Sequence, residues 1–207
     1  MLAAALICTA VAALANWCTR VHPHEMVETI TKPLTTMLVM WVAVAADGPR
    51  QATVLMLIGL AFCLAGDIAL LDVIDRFIVG LVAFLIGHVI FTAMFVTLHA
   101  GRPAWGLVAA AVLAVHGAVV GRRIVAGATT KEHALRLPVI AYLIVIITMT
   151  VVASATGRWW AISGAFAFVL SDTLLGWRAF VSERSWMALA VMVTYHAALV
   201  GLALSLS

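Results

Sequence analysis

Two aspartates stand where aspartates are rare. The chain has nine carboxylates, and seven of them fall between apolar runs or at their ends. Asp67 and Asp172 lie inside apolar runs instead. A charged side chain in mid-membrane costs about 2.5–3.5 kcal/mol on insertion scales. Each of these residues must therefore face a bundle interior and find a partner there. An interhelical hydrogen bond or an interfacial cap explains one such residue. Two at matching positions, 105 residues apart, point to function, and intramembrane carboxylates mark sites of proton handling.

Three histidines, His88, His116 and His196, are also inside apolar runs. His88 and His196 each follow an aspartate-bearing run, so contact between Asp and His is expected. His116 has no counterpart and reads as a satisfied core residue. Two Asp and two His are a conceivable metal set, but no HxxxH or HxxE pattern surrounds them, and no metal is expected. Lys32 stands just before Pro33. It is either a snorkelling lysine or an anion contact for a phosphate head group. Ser171 lacks the GxSxG setting of a hydrolase nucleophile. There is no phosphate-binding glycine loop.

The elements that must position these residues are membrane helices. Of 207 residues, 65% are hydrophobic and 10% charged, whereas soluble domains are nearer 45–50% and about 25%. Backbone groups in lipid must be satisfied within their own segment, which makes helices the default. Eight apolar runs are legible, at 2–18, 31–46, 51–71, 77–98, 104–120, 135–153, 158–180 and 186–205. The expected fold is all-α, a polytopic bundle of about eight transmembrane helices in one membrane domain spanning 1–207. Most tryptophans fall near run ends, where their rings favour the membrane interface. The N-terminal run lacks the basic leader of a signal peptide and reads as the first helix. Cys8, Cys18 and Cys63 have no metal-site spacing.

Charge gives the orientation. Nine Lys and Arg residues, among them Arg20, Lys32, Arg76, Lys131 and Arg178, fall on one side of the membrane; Arg50, Arg102 and Arg158 fall on the other. The positive-inside rule places the richer side in the cytoplasm. Arg122, Arg123, Lys131 and Arg136 form a basic loop on that side, which anionic membrane lipid would also attract. A net charge of +3 is too small to point to nucleic acid.

The halves of the chain also correspond weakly. Pro33 and Pro138 are 105 residues apart, like Asp67 and Asp172, and His88 and His196 are 108 apart. Four helices per half would make the repeat parallel, with halves at 1–100 and 101–207.

Several stretches together resemble the YhhN, or lysoplasmalogenase, family of integral membrane proteins. They are TKPLTTMLVM (31–40), GDIALL (66–71), FIVGLVAFLIGHVIF (77–91), LPVIAYLIVIITM (137–149), GAFAFVLSDTLLGWRAF (164–180) and VTYHAALVG (193–201). The chain departs from the family pattern at His196-Ala197-Ala198, where members often carry Tyr-Ala-Gln.

The resemblance implies eight membrane helices, no required cofactor, and a lysophospholipid substrate. The reaction would be hydrolysis of the vinyl ether bond of a lysoplasmalogen, giving a fatty aldehyde and a glycerophospho-choline or -ethanolamine. A protonated carboxyl and an ionised carboxylate suit that reaction, as they suit glycosidases. Asp67 and Asp172 are the expected catalytic pair. Lys32, His88, Tyr142, Tyr195 and His196 are the expected substrate-binding and orienting residues. The location implied is a multi-pass protein of the bacterial inner membrane. The competing classes are a proton-coupled transporter, since Asp and His also mark proton relays, and a lipid-binding membrane protein.

Overall fold

The computed structural model describes residues 1–71 and 73–207. Asp72, placed by sequence in the loop before the fourth span, lies outside the described residues. Among those described there are helices and no strands. The helices are α1 (Leu2–Val21), α2 (Glu25–Ala45), α3 (Arg50–Ala69), α4 (Phe77–Thr97), α5 (Pro103–His116), α6 (Arg122–Lys131), α7 (Arg136–Ala155), α8 (Trp159–Phe180) and α9 (Met187–Leu204). They make eight spans long and apolar enough to cross a membrane, with α5 and α6 forming one of them.

Two boundaries differ from those expected. The second span begins at Glu25, well before the apolar run, because Glu25 and Glu28 lie in its first turn, where the helix dipole favours acidic groups. The fifth continues where a basic loop was expected. A π turn, Gly117–Gly121, joins α5 to α6 and carries the helix to Lys131. Glycine is a weak stop signal at membrane depth, because a broken helix has no water to satisfy the freed backbone. Arg122, Arg123 and Lys131 are thus helical rather than in a loop. The 29-residue span is about 43 Å long at 1.5 Å per residue. That exceeds the ~30 Å hydrocarbon core, so its basic end projects from it.

Six helices pack in a closed ring, in the order α2, α3, α4, α7, α8, α9 and back to α2. Outside the ring, α1 packs on α2 and α9, and α5 packs on α7. The closest pairings are α3 with α4 and α8 with α9. Lipid supplies no hydrophobic drive between helices, so close approach depends on small residues. A Cβ on Gly66 would fall 2.6 Å from the Phe84 ring, and one on Gly164 would fall 2.7 Å from the Leu202 backbone nitrogen. Buried hydroxyls are satisfied within their own helices, as in Thr150 to the Ile146 carbonyl (2.9 Å) and Ser154 to Thr150 (2.7 Å).

Candidate active site

The two aspartates sit on opposite members of the ring. Asp67 is near the end of α3 and is 1% exposed. Its Oδ2 accepts from the Thr36 hydroxyl of α2 at 2.5 Å and from the Tyr195 hydroxyl of α9 at 2.9 Å. Asp172, on α8, has its side chain 13% exposed. Its Oδ2 accepts from the Tyr142 hydroxyl of α7 at 2.6 Å, and His88 Nε2 of α4 lies 3.6 Å away. Each aspartate thus has one partner on the helix before its own. The other partner comes from the fourth span of the opposite half.

That exchange separates the two histidines. His88 approaches Asp172, in the other half, rather than Asp67 one helix earlier. His196 approaches neither aspartate: its Nδ1 accepts from Trp17 Nε1 at 2.9 Å, which also makes Trp17 a cross-helix donor rather than an interface anchor. The residue that answers His88 is Tyr195, one position before His196. The rings of His88, Phe168, Tyr195 and Phe84 follow one another edge to face between the two carboxylates, with centroids 4.4–5.7 Å apart. Cys63, one turn before Asp67, is fully buried and close enough to feel the charge of both aspartates.

Two cavities meet here. A polar cavity of about 1440 Å³, counting its open mouth, is lined by Arg20, Lys32, Asp67, Asp75, Arg178 and Tyr195, among others. A second cavity of about 600 Å³ is almost wholly apolar and lies between α5–α6, α7 and α8; Leu143, Ile147 and Val169 line it. Asp172, Phe77 and Leu175 border both. The two carboxylates therefore differ in setting, since Asp67 borders the polar cavity alone.

A model of the YhhN family matches residues 27–206. The chain belongs to the YhhN family. No curated protein and no solved structure matches it. The YhhN match starts at the third residue of α2, so it includes both aspartates, Lys32 and both tyrosines, while α1 with Trp17 and Arg20 precedes it.

The remaining candidates of this YhhN chain are placed as follows. Lys32 is 5% exposed on α2, and its Nζ donates to the Leu70 carbonyl at 3.2 Å. His116 is partly buried, lies 3.1 Å from the Thr173 hydroxyl and lines the apolar cavity. Ser171 donates to the Val191 carbonyl at 3.2 Å, a structural bond. Among the described residues, no three His, Cys, Asp or Glu side chains converge as metal ligands would. Sequence reasoning missed Thr36, Arg20, Phe77 and Leu175. Thr36 carried a signal, since it lies within the TKPLTTMLVM stretch. The other three have common types in common places.

Proposed function

We propose that this chain is a membrane-embedded hydrolase that cleaves the vinyl ether bond of lysoplasmalogens. The observation that carries the proposal is the position of Asp172 at the border of a polar and an apolar cavity. An amphiphile with its head group in the first and its single chain in the second has the joint between them beside this carboxyl. In a lysoplasmalogen that joint is the vinyl ether. Membership of the YhhN family supports the same reading.

Asp172, protonated, gives its proton to the alkenyl carbon remote from oxygen, leaving an oxocarbenium ion. Asp67, ionised and facing the polar cavity, stabilises the cation and takes a proton from the water that adds to it. The hemiacetal loses its hydroxyl proton as its C–O bond to glycerol breaks. A proton returns to the glycerol oxygen, giving aldehyde and alcohol. The net change is addition of one water across the ether. General acid–base help of this kind is worth about 10²–10⁴-fold. Tyr142 and Tyr195 hold the two carboxylates in place, and His88 packs against Asp172. The corresponding helix pairings α3–α4 and α8–α9 support reading the bundle as two parallel four-helix halves, each giving one aspartate.

The test is aldehyde release from 1-alkenyl-lysophosphatidylethanolamine by the purified protein in lipid nanodiscs. Release that disappears in Asp172→Asn supports the reading. Intact wild type that binds the lysolipid without releasing aldehyde overturns it. Proton flux into proteoliposomes without aldehyde would put a carrier in its place.

A further inference from the structure

The wall of the polar cavity made by α1, α2 and α9 contains hydrogen-bond donors that nothing in the protein answers. Arg20 Nε and His196 Nε2 are buried and have no partner. Buried polar groups in native proteins are nearly all satisfied, so an orphan calls for a water, an ion or a ligand.

The chemistry of His196 follows from its neighbour. An indole N–H only donates, so the bond from Trp17 requires a bare Nδ1. The ring is then neutral with its proton on Nε2, which makes Nε2 a donor lacking an acceptor. Arg20 is fixed by Glu28, which takes a terminal guanidinium nitrogen and leaves the Nε edge open. Arg20 and Lys32 both line the cavity, and His196 is within electrostatic range of both. Two cations and a neutral donor face one volume. An oxyanion is the ligand such a set fits, and a guanidinium edge matches a phosphate better than a point charge does.

We propose that Arg20 and His196, with Lys32 as the second cation, form a phosphate site that holds the phosphodiester of the lysolipid head group. The proposal rests on the cavity being a lysolipid site. It assigns α1, which precedes the family match, a direct part in binding: Arg20 reaches the phosphate, and Trp17 sets the tautomer of His196. The reacting joint would lie at Asp172, on the far wall.

The experiment measures binding, so it does not depend on hydrolysis. The probes are a saturated 1-alkyl-lysophosphatidylethanolamine, the 1-alkylglycerol of the same chain length, and inorganic phosphate. Arg20→Gln alone would strand the Glu28 carboxylate, so it is paired with Glu28→Gln. His196→Phe is paired with Trp17→Phe for the same reason. Wild type should bind the phospholipid more tightly than the alkylglycerol. Each double variant should weaken the phospholipid about tenfold, the scale of one lost charge-assisted hydrogen bond, and leave the alkylglycerol unchanged. Inorganic phosphate that competes in wild type and not in the variants identifies the phosphate itself as the group bound. Variants that weaken both lipids equally, or neither, overturn the site. If wild type binds neither lipid, the lysolipid reading fails by itself. Direct binding of inorganic phosphate, lost in Arg20→Gln/Glu28→Gln, would then uphold the anion site, and its absence would overturn it.

Discussion

The Tyr195 hydroxyl donates to Asp67 across the ring at 2.9 Å, joining the last span of one half to the third span of the other. His88 stands in the same relation to Asp172, at 3.6 Å. Each half therefore completes the surroundings of the other's carboxylate. Tyr195→Phe leaves Asp67 with Thr36 as its remaining hydroxyl partner. Underpairing a buried acceptor costs about 1–3 kcal/mol, so unfolding in detergent should shift by that amount. Turnover should fall through kcat rather than KM, because the hydroxyl orients a carboxylate and does not hold the lipid.

Asp172→Asn and Asp67→Asn preserve shape and remove proton transfer. Each should lower aldehyde release about 10²–10⁴-fold while the protein still elutes as a single folded species. Full activity in either variant would remove that residue from the mechanism.

The apolar cavity should read chain length. Leu143→Trp fills part of it from α7. KM for a long-chain lysolipid should rise about tenfold, equivalent to ~1.4 kcal/mol of lost chain burial, while a short-chain analogue is turned over as before. Equal effects on both chains would place the tail elsewhere.

Glycines that look alike in sequence should respond differently. Gly164 and Gly201 face each other, and a Cβ on either would meet backbone at 2.7–2.8 Å. Gly164→Val should destabilise the bundle by about 1–3 kcal/mol, as overpacking does, or prevent its recovery. At Gly117, in the π turn, an added Cβ meets nothing closer than 3.7 Å. Gly117→Ala should be neutral within about 1 kcal/mol. Thermal aggregation in detergent separates the two outcomes.

Much of the bundle was legible because lipid imposes a simple rule on sequence. Each span needs roughly 20 apolar residues and an internally satisfied backbone, so runs such as 77–98 and 158–180 fall close to α4 and α8. The rule is silent about glycine and charge at span ends, which is why the helical stretch through Arg122 and Arg123 and the early start at Glu25 were missed. Asp67 and Asp172 stood out by the cost of burying them.

The partners of those aspartates were not legible. Position along the chain pointed to the histidine one helix on. The ring instead brings the fourth span of each half beside the third span of the other, so neither aspartate takes a histidine from its own half. Tyr195 and His196 are adjacent in sequence, yet about 100° of helical turn sends one toward Asp67 and the other toward Trp17. Sequence by itself determined which residues enter the membrane and which carboxylates must be sheltered there, because those follow from transfer energies summed residue by residue. Tertiary structure alone decided what shelters them and that Asp172 borders both cavities. Those facts depend on helix rotation and on which helices touch, and hydropathy carries neither.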